Sequence, residues 1–146
     1  MLVREIMVRN VVTARADEPL AELCDRMTQA RIHAVPVVDD DGALVGIVAT
    51  EDLLFGGVFS LPPARPRPLG ADADAQRREP DVPRVGDVMT SPALSVEEDT
   101  PLGELCGLMW HYRIRHVPVT RGDMVVGIVS ALDVCRLLAD DAPGAP

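Results

Sequence analysis

The sequence predicts an α/β (α+β) domain built from two pseudo-symmetric β-α-β-β-α repeats packed sheet to sheet. Three observations carry that expectation. The chain duplicates itself, each copy alternates β-branched runs with amphipathic helical stretches, and each copy places an Asp/Gly turn between its last two apolar runs. Val3-Arg4-Glu5-Ile6-Met7 corresponds to Val85-Gly86-Asp87-Val88-Met89, and Asp17-Glu18-Pro19-Leu20 to Asp99-Thr100-Pro101-Leu102. Arg31-Ile32 matches Arg113-Ile114, and Val35-Pro36-Val37 matches Val117-Pro118-Val119. After a one-residue deletion, Val45-Gly46-Ile47-Val48 meets Val126-Gly127-Ile128-Val129, and Asp52 meets Asp133. Nineteen identities with one gap are far beyond chance.

The elements follow in order. Val11-Val12-Thr13 and, more weakly, Ala93-Leu94-Ser95 read as short strands. An acidic or hydroxyl residue and then Pro19 or Pro101 open a helix. Leu20, Leu23, Cys24 and Met27 form one apolar stripe at three-four spacing, mirrored by Leu102, Leu105, Cys106 and Met109. Two apolar strands come next, 34–38 and 44–49, joined by the turn Asp39-Asp40-Asp41-Gly42; Arg121-Gly122-Asp123 takes that place in the second copy. A last helix starts near Thr50 and again near Ser130. One unit has too much apolar sheet surface to cover alone, so the two halves are expected to be interdependent.

This organisation gives repeat 1 at 1–54, an inter-repeat loop at 55–84, repeat 2 at 85–139 and a frayed tail at 140–146. Six of the thirteen prolines fall in the loop, and 62–83 reads as an exposed, mobile connector, with Phe55 and Phe59 as candidates for docking or for a lid.

Composition removes several function classes. The net charge of −9 repels a phosphate backbone, and four aromatic residues, Phe55, Phe59, Trp110 and Tyr112, leave no stacking platform for single strands, so nucleic acid is disfavoured. No apolar run reaches the roughly 18 residues of a membrane span, and the first residues lack the order of a secretion signal, so a soluble cytoplasmic protein is expected. Three cysteines without CxxC spacing fit neither a disulfide framework nor a zinc site; Cys24 and Cys106 read as small buried hydrophobes. His33, His111 and His116 are not spaced as metal ligands. No nucleophile–base pair or glycine-rich phosphate loop is present, so an enzyme is not expected.

Met, then Pro-Leu-x-Glu-Leu, then Val-Pro-Val, then Gly-Ile-Val-x-x-x-Asp, in that order and twice over, resembles the cystathionine-beta-synthase-type (CBS) domain signature across roughly 3–54 and 85–138. The resemblance implies a tandem regulatory module, often called a Bateman module, that binds an adenosine-containing ligand between its halves and pairs into a dimeric disc. AMP, ADP, ATP and S-adenosylmethionine are the ligands it implies, with no obligatory cofactor and with an effector protein to read the state. The aspartate of the motif would accept hydrogen bonds from ribose hydroxyls, which suits a carboxylate facing a vicinal diol. The hydroxyl three residues before it would contact phosphate or ribose. Gly127-Ile128-Val129-Ser130-Ala131-Leu132-Asp133 matches fully, whereas Ala49 stands where the first copy needs a hydroxyl before Asp52. The cleft centred on Asp133 is therefore the expected site, and the Asp52 cleft is expected to be weak or empty.

Ser130 and Asp133 also fit a capping box at a helix start, whose N-terminus would favour a phosphate. Arg115, His116 and His33 stand where the family places cations against phosphates, and are equally readable as solvated strand-end residues. Arg31 and Arg113 read as surface or ion-pairing residues. Thr13 and Ser95, with Pro36 and Pro118 in the strands that follow, complete the candidate ligand-binding set. The competing reading is a ligand-independent dimerisation or interaction module.

Overall fold

A computed structural model describes residues 1–54 and 82–141. The loop expected at 55–84, with Phe55 and Phe59, lies outside the described residues except for its last three positions, and so does the tail beyond Asp141.

The first half contains α1 (Leu20–Ala30), β1 (Ala34–Val38), β2 (Leu44–Ala49) and α2 (Thr50–Asp52). The second contains α3 (Val85–Val88), β3 (Val96–Glu97), α4 (Leu102–Tyr112), β4 (His116–Arg121), β5 (Met124–Ser130) and α5 (Ala131–Asp140). A 3-10 turn at Val3–Glu5 occupies the place in the first half that α3 holds in the second. The strands expected at 34–38 and 44–49 have those bounds. β1 and β2 pair antiparallel, as do β4 and β5, with the same register from Ala34↔Ala49 and His116↔Ser130 onward. The connecting turns need positive φ, which Gly42 and Gly122 supply at 84° and 60°.

The early strands lie one to three residues later than their β-branched runs suggest. β3 pairs parallel with β4 through Val96↔Val119, and the matching contact in the first half is a single bridge, Ala14↔Val37. Burial decides this position: Ala14 and Val96 point into the cores, whereas Val11 to Thr13 remain half-buried.

Each half has its own apolar core, and each core is completed by the other half's leading segment. Val3 and Met7 pack with Val96, Leu105, Val117 and Val129, while Val85 packs with Ala14, Leu23, Val35 and Val48. The exchange also satisfies backbone groups that a helix start leaves free. The Leu20 amide donates to the Pro83 carbonyl at 2.8 Å, and the Leu102 amide donates to the Met1 carbonyl at 2.9 Å. Pro83 and Arg84, expected in the connector, thus lie against the first half.

After packing on the opposite core, each leading segment runs along the opposite sheet edge. Val8 exchanges hydrogen bonds with Ile128 at 2.9 and 3.0 Å, and Thr90 does the same with Ile47. A glycine is needed beneath each crossing. A Cβ on Gly46 would lie 2.9 Å from the Thr90 carbonyl oxygen and 2.8 Å from Met89 Sδ, and one on Gly127 would lie 2.6 Å from Met7 Sδ. The glycine of each Gly-Ile-Val motif is therefore the residue over which the other half crosses. No helix among the described residues is long and apolar enough to cross a membrane.

Candidate functional site

The crossings leave space where the end of β2 faces the start of β4. A cavity of about 480 Å³ opens there, walled by Ile47, Ala49, Glu51 and Asp52 from the first half. Thr90, Pro92 and Leu94 of the crossing segment and the turn from Tyr112 to His116 supply the rest of its wall. A second cavity, also about 480 Å³, is lined by His33, Thr50, Glu51, Arg115, His116, Ser130, Ala131 and Leu132. Glu51, Arg115 and His116 belong to both linings and separate the two spaces. A third cavity of about 340 Å³ lies beside Cys24, Met27, Arg31 and His33.

Asp52 is placed by its own helical turn, where Oδ2 accepts the Ala49 amide at 2.8 Å. Across the cavity, Thr90 Oγ1 stands 3.5 Å from Asp52 Oδ1. The pseudo-equivalent carboxylate is engaged differently. Asp133 Oδ2 accepts both the Ser130 amide at 2.7 Å and the Ser130 hydroxyl at 2.9 Å, while Ser130 Oγ accepts the Asp133 amide at 3.2 Å. That arrangement is the capping box anticipated from the sequence, closed on itself.

The positive groups are graded by burial. Arg115 is exposed and its Nη1 lies 3.7 Å from Glu51 Oε1, a surface pair that adds little stability and leaves the guanidinium free to turn. His116 is half-buried, and burial pushes its imidazole pKa below the ordinary value; the Glu51 and Asp133 charges oppose that shift, and His33 and Arg115 reinforce it. The ring is therefore neutral near pH 7, with one donor and one acceptor nitrogen. Arg113 holds a left-handed backbone at φ 56° at the end of α4, and its guanidinium sits 4.4 Å from the centroid of the exposed Trp110 ring.

The geometry sorts the residues expected to bind. Asp52, Arg115 and His116 are brought together around one cavity, and His33, Arg115, His116 and Ser130 around the other. Asp133 itself lines none of the three cavities, although Ser130, Ala131 and Leu132 of its motif line the second, which is as large as the first. Thr13 and Ser95 are half-buried outside these linings, and the Thr13 carbonyl accepts Arg26 Nη1 at 3.1 Å. Pro36 and Pro118 are fully buried within their strands, on the face opposite the core-facing Val35, Val37, Val117 and Val119, and line none of the three cavities.

Sequence reasoning missed Thr90, Tyr112, Arg113 and Glu51 as wall residues. Aligning the copies offers a signal for three of them: Val8, Ala30 and Leu132 stand opposite Thr90, Tyr112 and Glu51, so polarity changes where the clefts diverge. Among the described residues no group of three metal-ligating side chains gathers. The three cysteines are unbridged, and Cys24, in the wall of the third cavity, has its thiol pKa pushed up by burial and by Asp25.

Comparison with known proteins adds three findings. The family model described as CBS domain matches residues 3–56 and 85–140. The uncharacterized protein MJ1404 of Methanocaldococcus jannaschii is 33% identical over 98% of this chain, which spans 33% of that protein's length. YlbB of Bacillus subtilis is 29% identical over 90% of this chain and 78% of its own. Among solved structures, the CBS domain pair of protein MJ0100 in complex with 5'-methylthioadenosine and S-adenosyl-L-methionine superposes with a TM-score of 0.75 at 26% identity, covering 97% of this chain and 98% of that one.

Proposed function

Because the chain belongs to the CBS domain family as a tandem pair, we propose that it is a regulatory module that senses an adenosyl ligand in the cleft lined by Asp52. The observation that carries this reading is a cavity of about 480 Å³ walled by both halves, with the Oδ1 atom of Asp52 turned toward a hydroxyl of the opposite half. In this reading Asp52 accepts a ribose hydroxyl, and Arg115 with His116 faces the 5' substituent, which is AMP, ADP or ATP phosphate or the sulfonium arm of S-adenosylmethionine. The adenosyl ligands of the MJ0100 pair support the ligand class.

Binding is a signal here, not a reaction. A ligand held by both halves favours the packing in which the cleft fits it, and shifts the module only as far as its affinities for two arrangements differ. The proposed output passes through an effector protein in the cytoplasm, with two modules paired as a homodimer.

Calorimetry against AMP, ADP, ATP, S-adenosylmethionine and 5'-methylthioadenosine tests the reading. At least one binds, Asp52→Asn weakens it more than tenfold, and Asp133→Asn changes it less than threefold, the asparagine keeping an acceptor for each cap. Silence from every compound at millimolar concentration rejects the ligand.

One observation favours the second reading, a ligand-independent interaction module. No residue of α5 is buried, and Leu132 and Leu138 are 74% and 66% exposed on it. Sedimentation of the apo protein separates the two: a dimer whose constant ignores every nucleotide supports interaction alone.

A further inference from the structure

The chain's one tryptophan and one tyrosine are both at the surface, side by side at the end of α4. Trp110 is 72% exposed and Tyr112 55%. His111 meets Tyr112 edge to face at 4.8 Å, and the Arg113 guanidinium lies 4.4 Å from the centre of the Trp110 ring. The fold does not need these rings. In the first half the same turn closes α1, with Arg31 at φ 53° matching Arg113 at φ 56°, and it is built from Thr28, Gln29 and Ala30. Trp, Tyr and Arg are also the residue types that dominate the energetics of protein interfaces.

The charge of this surface is unlike that of the rest of the chain. The eighteen residues 105–122 contain no carboxylate, although the protein has 23 in all. Within that run Arg121 is paired with Glu98 and Arg115 faces Glu51, whereas Arg113 makes no ion pair among the described residues. A guanidinium lying over an indole keeps its N–H edge outward, and that fork fits a carboxylate with two parallel hydrogen bonds.

We infer that the face formed by Trp110, His111, Tyr112 and Arg113 is a docking surface for an acidic protein segment. A carboxylate of that segment takes the Arg113 fork, and its apolar side chains cover Trp110 and Tyr112. The inference deepens the reading of an output through an effector protein by naming that partner's chemistry. Single-stranded nucleic acid fits less well, because Arg113 already covers one face of the indole and the net charge of −9 repels a run of phosphates. Tyr112 and Arg113 also line the Asp52 cavity, so the docked segment lies beside the space in which a ligand would be sensed.

The full chain is titrated with a random copolymer of glutamate and leucine, labelled for anisotropy or unlabelled for the emission of Trp110. Binding raises the anisotropy and shifts the emission to shorter wavelength, and a copolymer of lysine and leucine does neither. Trp110→Thr, which installs the residue of the first half's turn, and Arg113→Gln each weaken the association about tenfold. Arg121→Gln removes a cation that is already paired and stays within about twofold. The inference falls if the glutamate copolymer leaves both signals unchanged, if Trp110→Thr and Arg113→Gln bind it as wild type does, or if an oligothymidylate binds more tightly. Emission that moves with protein concentration alone assigns the face to a second copy and overturns it too. Calorimetry with the adenosyl compounds keeps the two readings apart: if one of them binds and the copolymer does not, the partner chemistry falls alone and ligand sensing stands. If the copolymer binds and none of them does, the docking surface stands without the ligand.

Discussion

The two halves share a motif, a strand register and a mode of crossing, yet their clefts are built differently. On the Asp133 side the carboxylate and Ser130 close on each other and cap α5, a helix of ten residues. On the Asp52 side the capping hydroxyl is missing, and the open cavity is shared with the crossing segment. A duplicated unit thus carries one motif closed as a helix cap and another whose carboxylate borders an open cavity. The better match to a family motif is here the better cap, and the poorer match has the more open carboxylate.

The largest expected effect tests whether the halves are one folding unit at all. Leu23 and Leu105 are fully buried at equivalent positions, one in each core. Leu23→Ala and Leu105→Ala should each cost about 2–5 kcal/mol in urea denaturation. Because Val3 and Val85 are exchanged between cores, either substitution should lower a single transition shared by both halves. Two separate transitions, one unmoved, would break the idea of interdependence.

Next in size come the crossings. A methyl on Gly46 meets the Thr90 carbonyl oxygen at 2.9 Å, a backbone atom that cannot step aside without breaking its pairing with Ile47. On Gly127 the nearest atoms belong to the flexible Met7 side chain, and the Val8 carbonyl oxygen is farther, at 3.1 Å. Gly46→Ala should therefore cost about 2 kcal/mol and Gly127→Ala about 1 kcal/mol. Thermal melts of the two variants in parallel settle the ranking, and the reverse order would mean that the Asp52-side crossing is the looser one.

These asymmetries also mark what a sequence can and cannot disclose. The hairpin strands were readable to the residue because apolar runs bounded by Asp/Gly turns are local signals, and the Leu20 and Leu102 stripes declare their buried faces in the same way. The exchange of leading segments was not readable, since Val3-x-x-x-Met7 shows an apolar pair but not which core receives it. The same gap explains the site. Asp52, Arg115 and His116 were found because their motifs are local, whereas Thr90 joins Asp52 only through the crossing.

A smaller effect sharpens the division between cap and cleft. Ser130→Ala removes the hydroxyl that bonds the Asp133 amide and should cost about 1 kcal/mol. Ala49→Ser, in the wild-type background, offers the same bond to the Asp52 amide and should stabilise the first half by less, about half a kcal/mol, since Asp52 already accepts both the Ala49 amide and Thr90 Oγ1. Chemical denaturation of both resolves the difference. Equal and opposite shifts would show that the motifs are energetically interchangeable.

The smallest expected effect concerns a position where the halves differ in charge. His116 stands opposite Ala34 in the duplication, and the first half carries its ring one position earlier, at His33. Burial lowers its folded pKa below the unfolded value of about 6.5, against the pull of Glu51 and Asp133 and with the help of His33 and Arg115. Between those two values the unfolded chain takes up the proton more readily. The stability tied to the neutral ring is therefore complete above about pH 6.5 and declines as the pH falls through that value toward the folded pKa. Urea midpoints at pH 7.5 and pH 5.5 should differ more in the wild type than in His116→Gln, which keeps a polar side chain without a titrating one. Equal losses in both would place the acid sensitivity elsewhere, among carboxylates that the two halves share.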